Sequence, residues 1–275
     1  MPSASAAHIL PAASPATDTR SGTQSIERAV GLLRVIASRG RRGMRIAEVV
    51  AASGLAHATC FRMLQCLQTE GLVDKDAHTR KYFLGPLVHE LGLLARPRYR
   101  LNELCDSAMR ALAEQTQDTV YLSERSGLEA VCTARHTGDY PIKVLPLDVG
   151  IRRPLGVGAG GLAILGAMDP GEAESVVRIN GPRYPAFGGM TTELMLAAVA
   201  ETRQRGYSFL DSVATPGSAA LGLALPGEQP VAAISIAAIS GRMSAGRHEE
   251  LFLALRAQVH KVFDLLREMQ RIVAG

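Results

Sequence analysis

The sequence predicts an α+β chain in two parts: a small front half of three helices and a β-hairpin, then a larger domain of short strands mixed with helices. Three observations predict it. Helical apolar spacing recurs three times between residues 25 and 70 and then gives way to two short apolar runs around a polar turn. A basic, proline-containing break follows at residues 96–100, beyond which short strand-like runs and helical stretches are interspersed rather than strictly alternating. Charge is also partitioned: residues 24–100 carry 13 Lys/Arg against 6 Asp/Glu, a net of +7, whereas residues 101–275 carry 16 against 19, a net of −3.

In order, residues 25–38 place Ile26, Val30, Leu33 and Ile36 at helical spacing, with Ser25 as a candidate N-cap. An Arg/Gly-rich stretch at 39–43 breaks the pattern, and residues 45–53 form a second short helix closed by Gly54. Residues 57–70 form a third, with Phe61, Leu64 and Leu67 on its apolar side and Gly71 at its end. Ser53-Gly54-Leu55-Ala56 is a turn of the length that joins the two helices of a helix-turn-helix. The runs Leu72-Val73 and 81–84, around the polar turn 75–80, complete a winged helix-turn-helix. On such a unit the third helix lies in the DNA major groove. His57, Thr59, Arg62 and Gln65 are the candidate groove-facing side chains, because Arg, Gln and Thr address base edges or phosphates. Arg80 and Lys81 are the candidate phosphate contacts of the wing. Ala56 is a poor N-cap, so Thr59 could serve backbone amides there instead.

Residues 86–94 read as a helix. Beyond the break, residues 101–116 are an amphipathic helix striped by Leu104, Ala108, Leu112 and Ala113. Strands are expected at 119–124, 129–134 and 142–147. A glycine-rich entry, Gly156 to Gly161, opens a helix through Met168. A helix at 192–205, strands at 221–225 and 231–237 around a Pro-Gly-Glu-Gln-Pro turn, and a long helix at about 247–273 finish the chain. The resulting partition is a disordered Ala/Ser/Pro/Thr tail at 1–23, a winged helix-turn-helix at 24–86, a linker helix at 87–100 and a second domain at 101–275. No internal repeat occurs.

Composition excludes several classes. With 47% hydrophobic and 20% charged residues in 275, the chain can bury a sizeable core. No apolar run is long enough for a membrane span, and the N-terminus lacks the basic and apolar regions of a secretory signal. Cys60, Cys66, Cys105 and Cys132 show no CxxC spacing and the seven histidines are scattered, so neither zinc nor a disulfide framework is expected. The reading is a cytoplasmic protein with reduced thiols, without metal or cofactor. No G-x-S-x-G, H-E-x-x-H or Walker motif is present, so the rival reading as an enzyme has no catalytic constellation to rest on.

In combination these residues resemble the IclR family of bacterial regulators across roughly 24–272. The likeness rests on SIERAVGLL, SGLAHATCFRMLQCLQTEGLV and RKYFLGPLVHELG in the front half. In the back half it rests on IRRPLGVGAGGLAIL, ETRQRGYSF and PVAAISIAAISGRM. The resemblance implies a GAF-like α/β effector-binding domain around an antiparallel sheet, homodimers or homotetramers on double-stranded operator DNA, and activation or repression of catabolic operons by a small molecule. Two departures stand out. Ala56-His57-Ala58-Thr59 replaces the family's Pro-Lys/Arg-Ser/Thr-Thr entry to the third helix. Gly156 to Ala163 replaces its His-Ala-Thr-Ala-x-Gly-Lys-Ala segment, which makes the pocket edge smaller and less polar.

Gly156, Gly158 and Gly161 also satisfy G-x-G-x-x-G, but Arg152-Arg153-Pro154 is a poor strand end and no alternating βα pattern surrounds it, as a dinucleotide site requires. The alternatives are a carboxylate held by amides at a helix N-terminus, with Ala159 and Gly160 as the effector contacts, or glycines that merely permit close packing. The resemblance places Asp211, Ala220, Ser235 and Ala237 at pocket positions. Asp211 could equally cap a turn before Ser212, and Ser235 could satisfy a strand neighbour. A carboxylate beside an anion is unfavourable unless it accepts a ligand hydroxyl, so Asp211 suggests a hydroxylated carboxylic acid; the resemblance, with a pocket of small residues that permits a ring, implies that the acid could be aromatic. Arg135-His136 and Arg152-Arg153 could also meet an acid, though solvation is the ordinary fate of such side chains. The remaining alternative is a DNA-binding protein whose second domain serves only to oligomerise.

Overall fold

In the computed structural model, which describes residues 23–95, 101–213, 215–227 and 231–274, the chain divides into two compact units at Tyr99/Arg100. The first contains α1 (Gln24–Ala37), α2 (Ile46–Ser53), α3 (His57–Thr69), β1 (Val73–Lys75), β2 (Tyr82–Leu84) and α4 (Pro86–Ala95). α1 begins at Gln24, so Ser25 lies inside its first turn rather than capping it. Its buried residues are Leu32, Val35 and Ile36; Ile26 and Val30, expected in the core, stand 64% and 40% exposed. α2 ends at Gly54, whose φ of +68° is the left-handed conformation that returns its N–H to Val50 O. α3 buries Cys60, Leu64 and Leu67, while Phe61 turns outward. These residues and Met44, Val49, Val73 and Tyr82 form one core. β1 and β2 pair antiparallel, Asp74 opposite Phe83, and α4 buries none of its residues. Of the expected linker helix, residues 96–100 lie outside the described residues, as do residues 1–22 of the expected tail.

The second unit is built on one antiparallel sheet. Its strands are β3 (Thr119–Ser126), β4 (Glu129–Thr137), β5 (Arg152–Pro154), β6 (Ser208–Asp211), β7 (Ser218–Ala224) and β8 (Ala232–Ile239), in the order β5-β4-β3-β8-β7-β6. One face carries Val120, Leu122, Leu221, Ile234 and Ile236 and is covered by α5 (Leu101–Thr116) and α9 (Ala245–Ala274). α5 contributes Cys105, Ala108, Met109, Leu112 and Ala113; Ala108, Leu112 and Ala113 are as expected, while Cys105 is buried and Leu104 only partly so. The other face is covered by α6 (Ala159–Ala167), with α8 (Thr192–Arg205) packed on α6 and β6 and α7 (Pro170–Asn180) packed on α8. α7 has the start signal Asp169-Pro170, with the Asp169 carboxylate accepting from the amides of Gly171 and Glu172.

Two strand expectations are corrected. Residues 142–147 form no strand. Side chains from the sheet take their carbonyls instead: Tyr121 Oη donates to Val144 O (2.7 Å), Arg153 to Pro146 O (3.0 Å) and Arg135 to Leu147 O (2.9 Å). Conversely, Arg152–Pro154 is a strand, paired with β4. Its proline and its charges are tolerated because it is an edge. The Pro-Gly-Glu-Gln-Pro turn is only partly described, since residues 228–230 lie outside.

Candidate functional site

The two faces of the sheet are chemically unlike, because strand side chains alternate sides. Where Ile234 and Ile236 of β8 fill one core, Ala233, Ser235 and Ala237 point the other way; on β3, Tyr121 and Ser123 do so. These side chains are mostly small, so the second face is not filled. A cavity of about 60 Å³ remains between the sheet, the N-terminus of α6 and residues 144–151. At roughly 10–15 Å³ per water on that measure, it has room for several waters or one small organic molecule.

α6 supplies the polar floor of this cavity. Every residue from Ala159 to Leu165 is buried, so the helix is apolar all round and its start is enclosed. The N-cap is Gly158, which has no side chain to offer, and the first intrahelical bond runs from Leu162 N–H to Gly158 O (3.0 Å). The amides of Ala159, Gly160 and Gly161 therefore have no acceptor among the described residues. Beside them lie two hydroxyls. Ser123 and Ser235 are 6% and 5% exposed, both line the cavity, and neither has a hydrogen-bond partner among the described residues. Gly160 is essential to this arrangement: a Cβ there would fall 2.5 Å from Ser123 Oγ and 2.8 Å from Ser123 Cβ. Free amides, a helix N-terminus and two unpartnered hydroxyls favour an anionic guest.

Five of the six expected effector positions, Ala159, Gly160, Ala220, Ser235 and Ala237, are brought together around the cavity. Asp211 is not. It sits exposed at the end of β6, where one oxygen accepts from Ser212 Oγ (2.9 Å) and Ser240 Oγ (2.6 Å). Its partners are these two hydroxyls, not a backbone amide of the turn, and it does not line the cavity where a ligand hydroxyl would lie. Sequence reasoning passed over Ser123 and set Arg153 aside as a surface charge. Both line the cavity, and the only cue to Arg153 was its nearness in sequence to the glycine entry. Burial pulls the Arg153 guanidinium below its ordinary pKa, opposed by Tyr121 and Cys132 beside it. Arg135 instead pairs with Asp148, His136 with Asp106, and Arg152 with Glu129. The strand before the glycines is antiparallel to its neighbour, so the βαβ geometry of a dinucleotide site is missing. The Cys132 thiol in the cavity wall is pushed up to about 11 by burial, which keeps it protonated and a poor nucleophile.

In the first unit, His57, Arg62 and Gln65 are exposed on α3 and Thr59 is half-buried. None of Arg62, Arg80 and Lys81 forms an ion pair with a described carboxylate. The α3 start has no side-chain cap, so Thr59 does not serve there. The wing turn is held by Asp76, which accepts from Thr79 N–H and Oγ (both 2.6 Å), and Arg80 takes a left-handed φ of +60°. Lys81 Nζ donates to Arg42 O (2.9 Å), leaving two of its three donors for another partner.

Among the described residues no helix is long and apolar enough to cross a membrane. Residues 97–263 match the family model "Bacterial transcriptional regulator IclR C-terminal", and residues 25–77 match the "IclR helix-turn-helix domain". The transcriptional regulator KipR of Bacillus subtilis is 27% identical over 74% of this chain and 82% of its own. The glycerol operon regulatory protein of Streptomyces griseus is 31% identical over 67% and 72%. Among solved structures, a putative regulator from Silicibacter superposes with a TM-score of 0.74 at 22% identity, covering 87% of this chain and 95% of that one. An IclR homolog from Microbacterium hydrocarbonoxydans, complexed with 4-hydroxybenzoate, gives 0.70 at 20% identity over 89% and 99%.

Proposed function

The chain belongs to the IclR family of bacterial transcriptional regulators, proteins that pair a DNA-binding helix-turn-helix with an effector-binding domain and are not enzymes, and on that premise we propose that its effector is a small organic carboxylate. One observation carries this reading: three uncapped amides at the start of α6 and the unpartnered hydroxyls of Ser123 and Ser235 face a single pocket. An acid group set against Ala159, Gly160 and Gly161 meets the positive end of the helix, and Ala220 and Ala237 leave room for its apolar body. The walls admit an aromatic ring. The 4-hydroxybenzoate in the Microbacterium homolog supports an aromatic acid as the first class to examine.

For the DNA, the proposal is that α3 enters the major groove with Arg62, His57, Thr59 and Gln65 at base edges, while Arg80 and Lys81 hold phosphate. A two-fold homodimer suits an operator of two half-sites. Ile26 and Val30 on α1, with Leu91, Leu93 and Leu94 on α4, supply exposed apolar surface for pairing of copies, and a tetramer would pair two such dimers. To act as a switch the acid must bind one state of the regulator better than the other. Carrying an equilibrium from 1:99 to 99:1 takes about 5.5 kcal/mol of such preference.

The test is calorimetry with a panel of aromatic and short-chain acids beside their neutral amides, followed by operator binding with and without the best acid. Acids should bind and amides of the same shape should not. Amides that bind equally well, or an operator affinity indifferent to every bound acid, would overturn the reading.

A further inference from the structure

One lining residue has no part in the proposed acid site. Arg153 is the single charged side chain among the residues that line the cavity. On β5 it faces the cavity while its neighbour Arg152 turns away to Glu129 and Ser126. One of its terminal nitrogens donates to Pro146 O (3.0 Å), and the guanidinium carbon stands 5.8 Å from the centre of the Phe187 ring. No described carboxylate lies within ion-pair distance: Glu129 is committed to Arg152 and Arg183, and Asp148 to Arg135. A guanidinium does not shed its proton, so a half-enclosed one without a counter-ion calls for an anion from outside.

Its place in the sheet separates it from the first acid site. The order β5-β4-β3-β8 puts two strand spacings between Arg153 and Ser123 and three between Arg153 and Ser235. At about 4.8 Å per spacing those are roughly 10 and 14 Å along the sheet. The guanidinium is held at Pro146 O and stands beside the Phe187 ring, and it has no hydrogen bond to Ser123, Ser235 or the start of α6. The cavity thus attracts negative charge at two ends with small apolar walls between.

We infer that the effector is a dianion, a small dicarboxylate with an apolar spacer: one acid group sits at the start of α6 and the other meets Arg153. The inference rests on the acid site proposed above and adds a second charge to the ligand class.

The experiment titrates the full-length protein by calorimetry at pH 8 with succinate, glutarate, adipate and the three benzenedicarboxylates. Each is compared with its monoamide, which keeps the shape and loses one charge. At least one dicarboxylate should bind tenfold or more tightly than its monoamide. In Arg153→Gln that ratio should fall to near one while the monoamide's own affinity changes less than threefold; Arg153→Lys should keep part of the preference. A wild-type ratio near one, or a preference that survives in Arg153→Gln, overturns the dianion and leaves the cavity a site for monocarboxylates. Binding by no member of either series overturns the acid site itself. If Arg153→Gln does not fold, because Pro146 loses its donor, the wild-type ratio alone decides.

Discussion

Replacing Ser123 or Ser235 with alanine should have opposite effects on the empty and the occupied protein. Each serine is more than nine-tenths buried, and its hydroxyl has no partner among the described residues, so in the empty protein it can be satisfied only by water held in the cavity. A buried hydroxyl without a bond costs about 1–3 kcal/mol, and cavity water offsets most of that. Ser→Ala should therefore leave the unliganded melting temperature unchanged or raise it by a few degrees, taking about 2–4 °C per kcal/mol for a unit of this size. A hydrogen bond to a carboxylate contributes about 1.5–3 kcal/mol, so each hydroxyl that the acid uses should cost roughly 10- to 150-fold in Kd when removed. The assay is calorimetry with the tightest acid of the panel, read beside thermal unfolding with and without it. A variant that melts several degrees lower when empty yet binds the acid as wild type does would refute the reasoning, because the hydroxyl would then be serving the fold.

Gly160→Ala places a methyl 2.5 Å from Ser123 Oγ and 3.6 Å from Ser235 Oγ, inside the anion position, and should abolish acid binding in calorimetry. The strain of overpacking, about 1–3 kcal/mol, should exceed the roughly 1 kcal/mol that alanine adds to a helix. Arg62→Ala should weaken operator binding by about 1–3 kcal/mol in a gel-shift titration, and wild-type affinity would remove Arg62 from the recognition surface. Arg80→Gly relieves a left-handed φ while deleting a wing cation, so it should melt slightly higher yet lower the salt slope of DNA binding by about one for every sequence. Burial works against the Glu129 charge, but hydrogen bonds from Arg152 and Arg183 outweigh it and hold its pKa below the usual glutamate value. A depressed pKa means the stabilisation is present above the ordinary glutamate range and is lost as pH falls through the folded value. Glu129→Gln should thus lower stability at pH 7 by about 1–2 kcal/mol, discounted because all three side chains are partly exposed, and the gap to wild type should close only in melts taken below the ordinary glutamate range.

Much of this protein is determined by patterns local to the chain. Helical period located α2, α3, α5, α8 and α9 to within about two residues, because a helix bonds only to itself and repeats its face every three to four positions. The Ser53-Gly54 turn was legible because left-handed backbone needs glycine. Asp169-Pro170 is as plain a start signal, and α7 could have been read from it. Period alone did not say which face of α1 is buried, since Ile26 and Val30 share the spacing of a core stripe and are left outside by Leu32 and Val35. The apolar run at 142–147 suggests a strand, but a strand exists only where a neighbour offers its own N–H and C=O. Here Tyr121, Arg135 and Arg153 take the carbonyls. Arg152–Pro154 suggests none, yet β4 had a free edge to pair it. The cavity is the most tertiary feature of all. Ser123, Ser235, Arg153 and Gly160 are scattered over more than a hundred residues, and only the strand order and the side to which each strand turns its small residues bring them to one space. Asp211 shares a strand end with none of them and is turned to Ser212 and Ser240 instead. Local chemistry therefore names the elements, whereas register and strand order decide which side chains are left facing a volume that a ligand can fill.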